Sequence, residues 1–391
     1  MKSGDGGACS TIGIMSETRA GSGASPPAKS FLAPTYEGDF VLDEPLLLDC
    51  GRALAGVTLH YAVYGRLNAA KDNAVLVCHA LSGSALVGAW WPEVFAPGGV
   101  LSLEHDFAIC INMLGSCYGS TGPGSVDPET GKIYGPEFPL VSIRDNVRAQ
   151  ARLLDSLGIR RLRLVMGGSI GGMQALDWAV HDPIRVQKAL VIGVAPLSAM
   201  GLALNNLQRQ AIQHDPEWAD GHYLPQRPPR KGLALARQIA MLSYKSAELF
   251  DERYGRNPNR NGEDPWGPSA LENGQGGGLI GGRFDIAGYL DHQGERFIER
   301  FDANSYLAIL RTMDTWDPLR GCSSAEAFSG IRAHVSFVGI SSDWLFPPQA
   351  VRDFAYTIRA AGVTCDYREM TSAHGHDAFL AEQAELVRLL Q

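Results

Sequence analysis

Short apolar runs recur along the chain and alternate with stretches of helical periodicity. Five runs rich in β-branched and aliphatic residues lack the alternation of polar and apolar positions that marks a half-exposed strand. Strands of a parallel sheet are covered on both faces, so such continuous runs predict interior strands. The runs occupy residues 73–78, 107–112, 162–166, 188–194 and 334–340, and residues 365–370 form a sixth, weaker candidate.

Helical patterns lie between these runs. Residues 143–157 place apolar side chains at helical spacing, and Gly158 follows as a stop signal. Strands that alternate with amphipathic helices are typical of the α/β class. The sequence therefore predicts an α/β fold with a mostly parallel, doubly wound sheet.

The pattern changes after residue 194. Residues 195–318 contain no strand-like run, and helical periodicity dominates at 202–214 and 232–246. We therefore predict a catalytic domain formed by residues 32–194 and 319–391, interrupted by a helical lid at 195–318. Residues 257–282 are rich in Gly, Asn and Pro and are predicted to form a mobile loop. Residues 1–31, rich in Gly, Ser, Ala and Pro, are predicted to be a disordered tail without the features of a signal peptide.

Composition excludes several classes of function. The 391 residues are 45% hydrophobic and 19% charged with a net charge of -8, which argues against nucleic acid or an anionic membrane as partner. No apolar run is long enough to span a bilayer. The seven cysteines contain no CxxC pair, which favours reduced thiols in the cytoplasm. The histidines show no metal-ligand spacing, so no metal is expected.

The strongest chemical signal is the G-x-S-x-G segment at residues 167–171. A strand-like run enters it and a helix-like run leaves it, which is the context of a nucleophile elbow. Glycines beside Ser169 permit the tight turn that exposes a serine hydroxyl at the edge of a sheet. The alternative is a glycine-rich turn without chemistry. We favour Ser169 as a nucleophile.

An activated serine needs a base and an acid that orients the base, and in this fold they follow the serine in the order acid, histidine. Asp343 follows the run at 334–340, and His376 follows the strand candidate at 365–370. His374 competes with His376 for the role of base. His79 precedes the serine, so chain order favours a structural role for it.

A tetrahedral intermediate also needs hydrogen-bond donors for its oxyanion. These are commonly the amide of the residue after the nucleophile and an amide from a loop after an earlier strand. The positions here are Ile170 and Leu81.

Six segments in one order extend the signal beyond the fold. They include Gly119-Ser120-Thr121-Gly122-Pro123 and the elbow, and together they resemble homoserine O-acetyltransferases from about residue 32 to residue 391. The sequence departs from the usual pattern at Ile170, where methionine is more typical, within residues 116–118, and in its long glycine-rich lid insertion. The segments are residues 112–123, 167–176, 209–212, 300–307, 342–348 and 375–380.

The resemblance implies roles for individual residues. Ser169 is expected to be the nucleophile, Asp343 the acid and His376 the base. Arg209 and Asp377 are expected to bind the carboxylate and the amine of an amino-acid acceptor, with assistance from Tyr223. A zwitterion held away from water needs both a cation and an anion, which agrees with this assignment.

The implied reaction transfers an acetyl group from acetyl-CoA to homoserine, without a cofactor, in a cytoplasmic homodimer paired through the lid. Leu345 favours acetyl, since relatives that use succinyl-CoA tend to place an arginine there, and a cation would pair with the succinyl carboxylate. Succinyl transfer to homoserine or serine is the first alternative. An esterase or thioesterase shares the catalytic triad and is the second.

Overall fold

The computed structural model describes residues 31–261, 264–266 and 282–391. The predicted disordered tail, apart from residue 31, lies outside the described residues. Most of the predicted loop at 257–282 also lies outside them, since residues 262–263 and 267–281 are not described.

Eight strands of the described chain form one sheet in the order β1-β4-β6-β5-β7-β8-β9-β10. Neighbours from β6 onward pair in parallel, and β4 pairs antiparallel with both β1 and β6. The two remaining strands form a small hairpin. The strands are β1 (Tyr36–Val41), β2 (Leu46–Leu47), β3 (Ala53–Leu54), β4 (Thr58–Gly65), β5 (Ala74–Cys78), β6 (Phe107–Ile111), β7 (Leu164–Gly168), β8 (Lys188–Ile192), β9 (His334–Ile340) and β10 (Cys365–Met370).

The predicted mostly parallel sheet is therefore present, and each of the six predicted runs contains or overlaps a strand. β5, β6 and β7 are buried at every position, as continuous apolar runs require. β7 begins later than predicted and extends through Gly168, because Leu162 makes only an isolated bridge to Val186 while pairing with β8 continues to the elbow.

Helices pack on the sheet and fill the segment between β8 and β9. The helix predicted at 143–157 begins with a capping box, in which the Ser142 hydroxyl accepts from the Asp145 amide at 3.0 Å. The described helices are α1 (Val87–Trp90), α2 (Ile143–Ser156), α3 (Ile170–His181), α4 (Ala199–Gln213), α5 (Arg230–Tyr244), α6 (Ala247–Arg253), α7 (Asp285–Ile298), α8 (Ala303–Asp314), α9 (Ser324–Phe328), α10 (Pro348–Ala360), α11 (Ala378–Ala381) and α12 (Gln383–Leu390).

The residues between β8 and β9 are mainly helical. α4 packs against α5, and α5 packs against α7. In the described part of this segment no residue joins the main sheet. We call residues 195–318 the helical insertion, and it lies over the edge of the sheet at which the parallel strands end.

No helix of the described residues is long and apolar enough to cross a bilayer. The same residues contain no group of three or more His, Cys, Asp or Glu side chains placed to hold a metal ion.

Candidate active site

Ser169 occupies the sharp turn between β7 and α3. Its backbone angles, φ 57° and ψ -133°, lie where residues with a side chain are rarely found. Its amide donates to the Ile192 carbonyl at 2.9 Å, so pairing with β8 holds the turn in this strained form. Ser169 consequently faces a cavity at the carboxyl edge of the sheet.

The positions around Ser169 must be glycine because neighbouring atoms leave no room for a side chain. A Cβ atom at Gly167 would lie 2.4 Å from the carbonyl carbon of Gly171, and one at Gly171 would lie 2.2 Å from the Cys78 carbonyl oxygen. A Cβ at Gly168 would lie 2.4 Å from the Phe379 ring. The glycines of the predicted elbow therefore let β5, β7 and α3 approach closely enough to form the turn.

Asp343 and His376 form a buried pair at the same edge, on the segments after β9 and β10. Asp343 Oδ2 lies 2.6 Å from His376 Nδ1, while Oδ1 accepts from the amides of Leu345 and Phe346 at 2.9 Å each. An ionised carboxylate only accepts, so Nδ1 carries the proton and Nε2 is the basic nitrogen. That Nε2 is buried and has no hydrogen-bond partner among the described residues.

His376 and Ser169 line the same cavity, and the described structure contains no hydrogen bond between them. Such contacts are often long in the absence of substrate and tighten when it binds. The structure thus brings together all three residues that the sequence proposed for nucleophile, acid and base.

Burial and charge act in opposite directions on the pKa of His376. Burial lowers this pKa, because the imidazolium loses its hydration. The charge and the hydrogen bond of Asp343 raise it, Asp377 raises it further, and Lys245 lowers it. The net pKa lies above the ordinary value of 6.5, so the site favours a proton on His376.

The other two histidines near the site have different surroundings. His374 Nδ1 lies 3.1 Å from the Glu382 carboxylate, and His374 does not line the cavity of Ser169. His79 is fully buried: Nδ1 donates to the Ala80 carbonyl at 2.8 Å and Nε2 accepts from the Met113 amide at 3.0 Å. Burial lowers the pKa of His79 to about 4. Neutral His79 thus ties the loop after β5 to the loop after β6, as its position before the serine suggested.

Of the two predicted oxyanion donors, Ile170 directly follows Ser169 and Leu81 lines the same cavity as Ser169. Ile170 is the first residue of α3, where a helix leaves its amides without partners, and Leu81 lies in the loop after β5 that His79 holds. Neither amide donates a hydrogen bond to another residue of the described chain. Both are therefore free to donate to a negatively charged oxygen.

The cavity that contains Ser169 has a volume of about 450 Å³ and lies between the sheet edge and the helical insertion. Besides His376, the charged side chains that line it in the described structure are Arg237, Arg300 and Asp377. Arg237 projects from α5, with its guanidinium carbon 5.4 Å from the Tyr244 ring centre and 5.0 Å from the Phe297 ring centre.

Arg237 has no carboxylate within ion-pair distance among the residues described. Asp377, by contrast, lies 3.1 Å from the Lys245 ammonium, and the Lys245 side chain is 12% exposed. The cavity therefore offers the unpaired guanidinium of Arg237 and the carboxylate of Asp377, of which Oδ2 is paired with Lys245. This combination can bind a small zwitterion.

Two predicted acceptor contacts lie elsewhere. Arg209 on α4 pairs with Asp314 and does not reach the cavity of Ser169. The Tyr223 hydroxyl donates to Asp302 and lines a separate cavity of about 560 Å³. The structure thus does not bring these two side chains into the cavity of Ser169, because the carboxylates of Asp314 and Asp302 hold them elsewhere, and their contact with an acceptor stays a prediction. Asp377 does line the cavity, as expected.

Leu345 is buried beside the nucleophile's partner acid rather than in the cavity wall. Its side chain packs near Gly201 at the start of α4, and its amide donates to Asp343. Leu345 can therefore influence the choice of acyl donor only indirectly, through the positions of neighbouring residues.

Sequence reasoning missed the cavity residues of the insertion. Arg237 and Tyr244 lie seven residues apart on α5, within the predicted helix 232–246, so they share one helix face. This spacing could indicate that the two residues belong to one site. It could not indicate which face of α5 covers the cavity. Arg300 also lines the cavity and belongs to the segment 300–307, but the resemblance implied no role for it.

The end of α5 is clamped to the loop that carries His376. Gly375 has φ 65°, and a Cβ there would lie 2.7 Å from the carbonyl carbon of Lys245. The Ser246 hydroxyl donates to the Ala373 carbonyl, and Trp344 Nε1 donates to the Lys245 carbonyl at 3.2 Å. The insertion and the catalytic loops therefore meet at residues 245–246.

Comparison with known proteins gives consistent results. A family model for the alpha/beta hydrolase fold matches residues 73–382, and the predicted fold class is thereby confirmed. The chain is 46% identical to a homoserine O-acetyltransferase from Symbiobacterium thermophilum over 352 residues, which cover 87% of this chain and 89% of that one. It is 41% identical to a homoserine O-succinyltransferase from Acidithiobacillus ferrooxidans over 88% of this chain and 91% of the relative.

Solved structures resemble the whole described fold. A homoserine O-acetyltransferase from Bacillus anthracis superposes with a TM-score of 0.82 at 26% identity, covering 90% of this chain and 95% of that one. An acetylester hydrolase from Corynebacterium glutamicum gives a TM-score of 0.73 at 22% identity over 90% of this chain and 95% of the other, and this likeness concerns the fold alone.

Proposed function

Because this chain belongs to the homoserine O-acetyltransferase family of the α/β-hydrolase fold, and is thus an acyltransferase, we propose that it moves an acetyl group from acetyl-CoA to the hydroxyl of L-homoserine. The observation that carries this proposal is one cavity that holds Ser169 beside His376 together with Arg237 and Asp377. An esterase needs only Ser169 and His376 in its cavity. Transfer to a zwitterionic acceptor needs Arg237 and Asp377 as well.

In the first half-reaction, Ser169 Oγ attacks the thioester carbonyl while His376 Nε2 takes the hydroxyl proton. The amides of Leu81 and Ile170 stabilise the oxyanion that forms. When the intermediate collapses, the carbon–sulfur bond breaks, and the thiolate of CoA leaves with the proton from His376. The product is an acetyl ester on Ser169.

In the second half-reaction, the homoserine hydroxyl attacks this ester, and His376 Nε2 again takes the proton and returns it to Ser169 Oγ. The same two amides stabilise the second oxyanion. Asp343 orients the imidazole and stabilises its charged form in both halves. Alternation of two half-reactions on one serine gives ping-pong kinetics.

Arg237 and Asp377 recognise the acceptor in this proposal. The guanidinium of Arg237 pairs with the α-carboxylate, and the Asp377 carboxylate accepts hydrogen bonds from the ammonium group. Both residues line the same cavity as His376, so a bound acceptor can bring its hydroxyl to the base. Water lacks both charges and gains nothing from them, which favours transfer over hydrolysis.

One alternative donor and one alternative acceptor belong to the same reaction class. A relative at 41% identity is a homoserine O-succinyltransferase, so succinyl-CoA is the rival donor. Leu345 supports acetyl by resemblance, because relatives that use succinyl-CoA tend to place an arginine at this position. Serine is the rival acceptor, since it is also a hydroxyl-bearing zwitterion.

We further propose a cytoplasmic enzyme of methionine biosynthesis that acts as a homodimer and needs no metal or other cofactor. The dimer proposal is supported by exposed apolar side chains on the helical insertion. They are Met200, Leu202 and Leu207 on α4 and Leu235 and Leu242 on α5.

The decisive experiment crosses acetyl-CoA and succinyl-CoA with homoserine and serine, and follows free thiol and product mass. We expect acetylhomoserine as the main product and one acetyl group on the Ser169 peptide when acetyl-CoA is supplied alone. Folded Ser169→Ala enzyme is the control and should form neither. Thioester hydrolysis without any response to homoserine would instead identify a hydrolase.

A further inference from the structure

Arg300 provides a second unpaired guanidinium in the cavity of Ser169. Its Nη1 donates to the Ser82 carbonyl at 2.8 Å and to the Tyr118 hydroxyl at 2.6 Å. No carboxylate of the described residues lies within ion-pair distance of it. Because a guanidinium has five N–H donors and only one nitrogen is engaged here, several donors remain available to a ligand.

Arg300 lies where the cavity of Ser169 meets a neighbouring cavity of about 370 Å³, and it lines both. Its partner Ser82 immediately follows Leu81, one of the proposed oxyanion donors. A substrate whose carbonyl lies between Ser169 and Leu81, and whose remainder extends along the two cavities, must pass the Arg300 side chain.

Arg300 is not required for binding the proposed acceptor. A zwitterion is neutralised by Arg237 and Asp377 together. The guanidinium carbons of Arg237 and Arg300 lie 5.0 Å and 5.1 Å from the same Phe297 ring centre. Both guanidinium groups thus contact one aromatic ring, and a ligand that supplies a hydrogen-bond acceptor would engage donors of Arg300 that no described residue occupies.

The donor substrate has such acceptors beside its reacting group. In acyl-CoA the thioester is followed by an arm with two amide groups, and each amide offers a carbonyl oxygen. A guanidinium that is already oriented by Ser82 and Tyr118 loses little freedom on binding such an oxygen. Trp90, which donates from Nε1 to the Ser84 carbonyl at 2.9 Å, lines the same cavity and adds apolar surface to it.

We propose that Arg300, Tyr118 and Trp90 form the donor subsite and bind the amide-bearing arm of acyl-CoA. This inference rests on the acyltransferase function proposed above. It divides the two arginines of the cavity: Arg237 binds the acceptor, and Arg300 binds the donor.

The test compares donors that differ in this arm. For Arg300→Met we expect the KM for acetyl-CoA to rise about tenfold or more, as for loss of a charge-assisted hydrogen bond. Acylation by p-nitrophenyl acetate, which has no amide arm, and the KM for homoserine should change less than about twofold. Arg300→Lys should recover part of the affinity for acetyl-CoA, because it restores the charge but not the fork of donors.

Arg296→Met is the matched control, since Arg296 is an exposed arginine one turn earlier that does not line the cavity. It should behave as wild type with every donor. Thermal midpoints of all variants identify any loss of folding. Arg237→Met should give the reverse pattern, with a raised KM for homoserine and an unchanged KM for acetyl-CoA.

Equal losses of Arg300→Met with acetyl-CoA and with p-nitrophenyl acetate would overturn the proposal, because they would mean that Arg300 only positions the loop at Ser82. An unchanged KM for acetyl-CoA would overturn it as well, as would a loss confined to succinyl-CoA. If wild type prefers succinyl-CoA, the test uses that donor, whose arm is the same. Wild type that cleaves p-nitrophenyl acetate but acylates no amino acid would refute the proposed function instead.

Discussion

The cavity of Ser169 has two walls of different construction. The sheet wall carries Ser169, Asp343 and His376 on segments that directly follow β7, β9 and β10, and backbone hydrogen bonds and a buried carboxylate hold it. The insertion wall carries Arg237 on α5 and Arg300 in the turn between α7 and α8, and ring contacts and a few polar contacts hold it.

The difference separates chemistry from recognition. In the proposed reaction, the sheet wall forms and breaks the acyl ester whichever acceptor is present. The insertion wall supplies the charges that a particular substrate pair requires. Changes in the first wall should therefore affect every substrate, and changes in the second should affect one substrate at a time.

The largest effect is expected at the base. His376→Ala should lower turnover with any donor and acceptor by about 10⁴-fold or more, because nucleophile, base and acid act as a unit. His374→Ala, which alters a residue outside the cavity, should change turnover by less than about threefold. Steady-state rates of both folded variants provide the comparison, and the reverse ranking would move the base to His374.

The next largest effect is expected at Arg237, and a different result is expected at Arg209. Arg237→Met should lower kcat/KM for homoserine about a hundredfold, or about 3 kcal/mol, because the acceptor carboxylate loses its partner. The acetyl-CoA burst should be unchanged. Arg209→Met should instead lower the thermal midpoint, since Asp314 loses its ion pair, while homoserine kinetics change little. A hundredfold loss for Arg209→Met with none for Arg237→Met would restore the original assignment from sequence.

A smaller effect is expected at Leu345, which is buried beside Asp343 and outside the cavity wall. Leu345→Arg should raise the ratio of kcat/KM for succinyl-CoA to that for acetyl-CoA by about tenfold, as one charge-assisted hydrogen bond less its desolvation would give. The position is buried, so the thermal midpoint should fall as well. Leu345→Met, which keeps the volume, should change neither. An unaltered donor ratio in folded Leu345→Arg enzyme would show that this position does not determine the donor.

The smallest effect concerns the pH dependence of acylation without acceptor. The base must be neutral, so the burst rate rises as pH increases through the His376 pKa, which lies above 6.5. Asp377 raises this pKa and Lys245 lowers it. Asp377→Asn should therefore move the midpoint to lower pH, and Lys245→Met should move it to higher pH. Shifts in the same direction would contradict this electrostatic account.

The sheet wall could be predicted from sequence because its determinants are local. Continuous apolar runs identify buried strands, and the glycines around Ser169 are needed for contacts within a few residues of the turn. Chain order then indicates where the acid and the base follow. The Asp343 and His376 side chains meet because adjacent parallel strands β9 and β10 end at one edge.

The N-terminal strands β1 and β4 were not predicted, since their pattern differs from that of the interior. β1 has no fully buried position, and β4 mixes buried and partly exposed positions. Both pair antiparallel at one side of the sheet, where long-range pairing rather than a continuous apolar run decides the structure.

The insertion wall could not be predicted because its determinants are long-range. Arg209 and Arg237 both lie on predicted helices, and each helix alone is compatible with either arginine facing substrate. The packing of α5 against α4 and α7 turns Arg237 toward Ser169, and Asp314 on α8 holds Arg209 elsewhere. Resemblance of a segment does not reveal which charged side chain an internal partner already neutralises.

The clamp between Gly375 and residues 245–246 has a consequence for protein engineering. Exchange of helical insertions between relatives is an obvious route to new substrate preferences, but this insertion ends in a contact that also positions the catalytic loop. A graft that kept Arg237 but replaced Lys245 and Ser246 would weaken the contact that positions the loop carrying His376. The natural unit for such exchange is therefore the insertion together with the segment after β10.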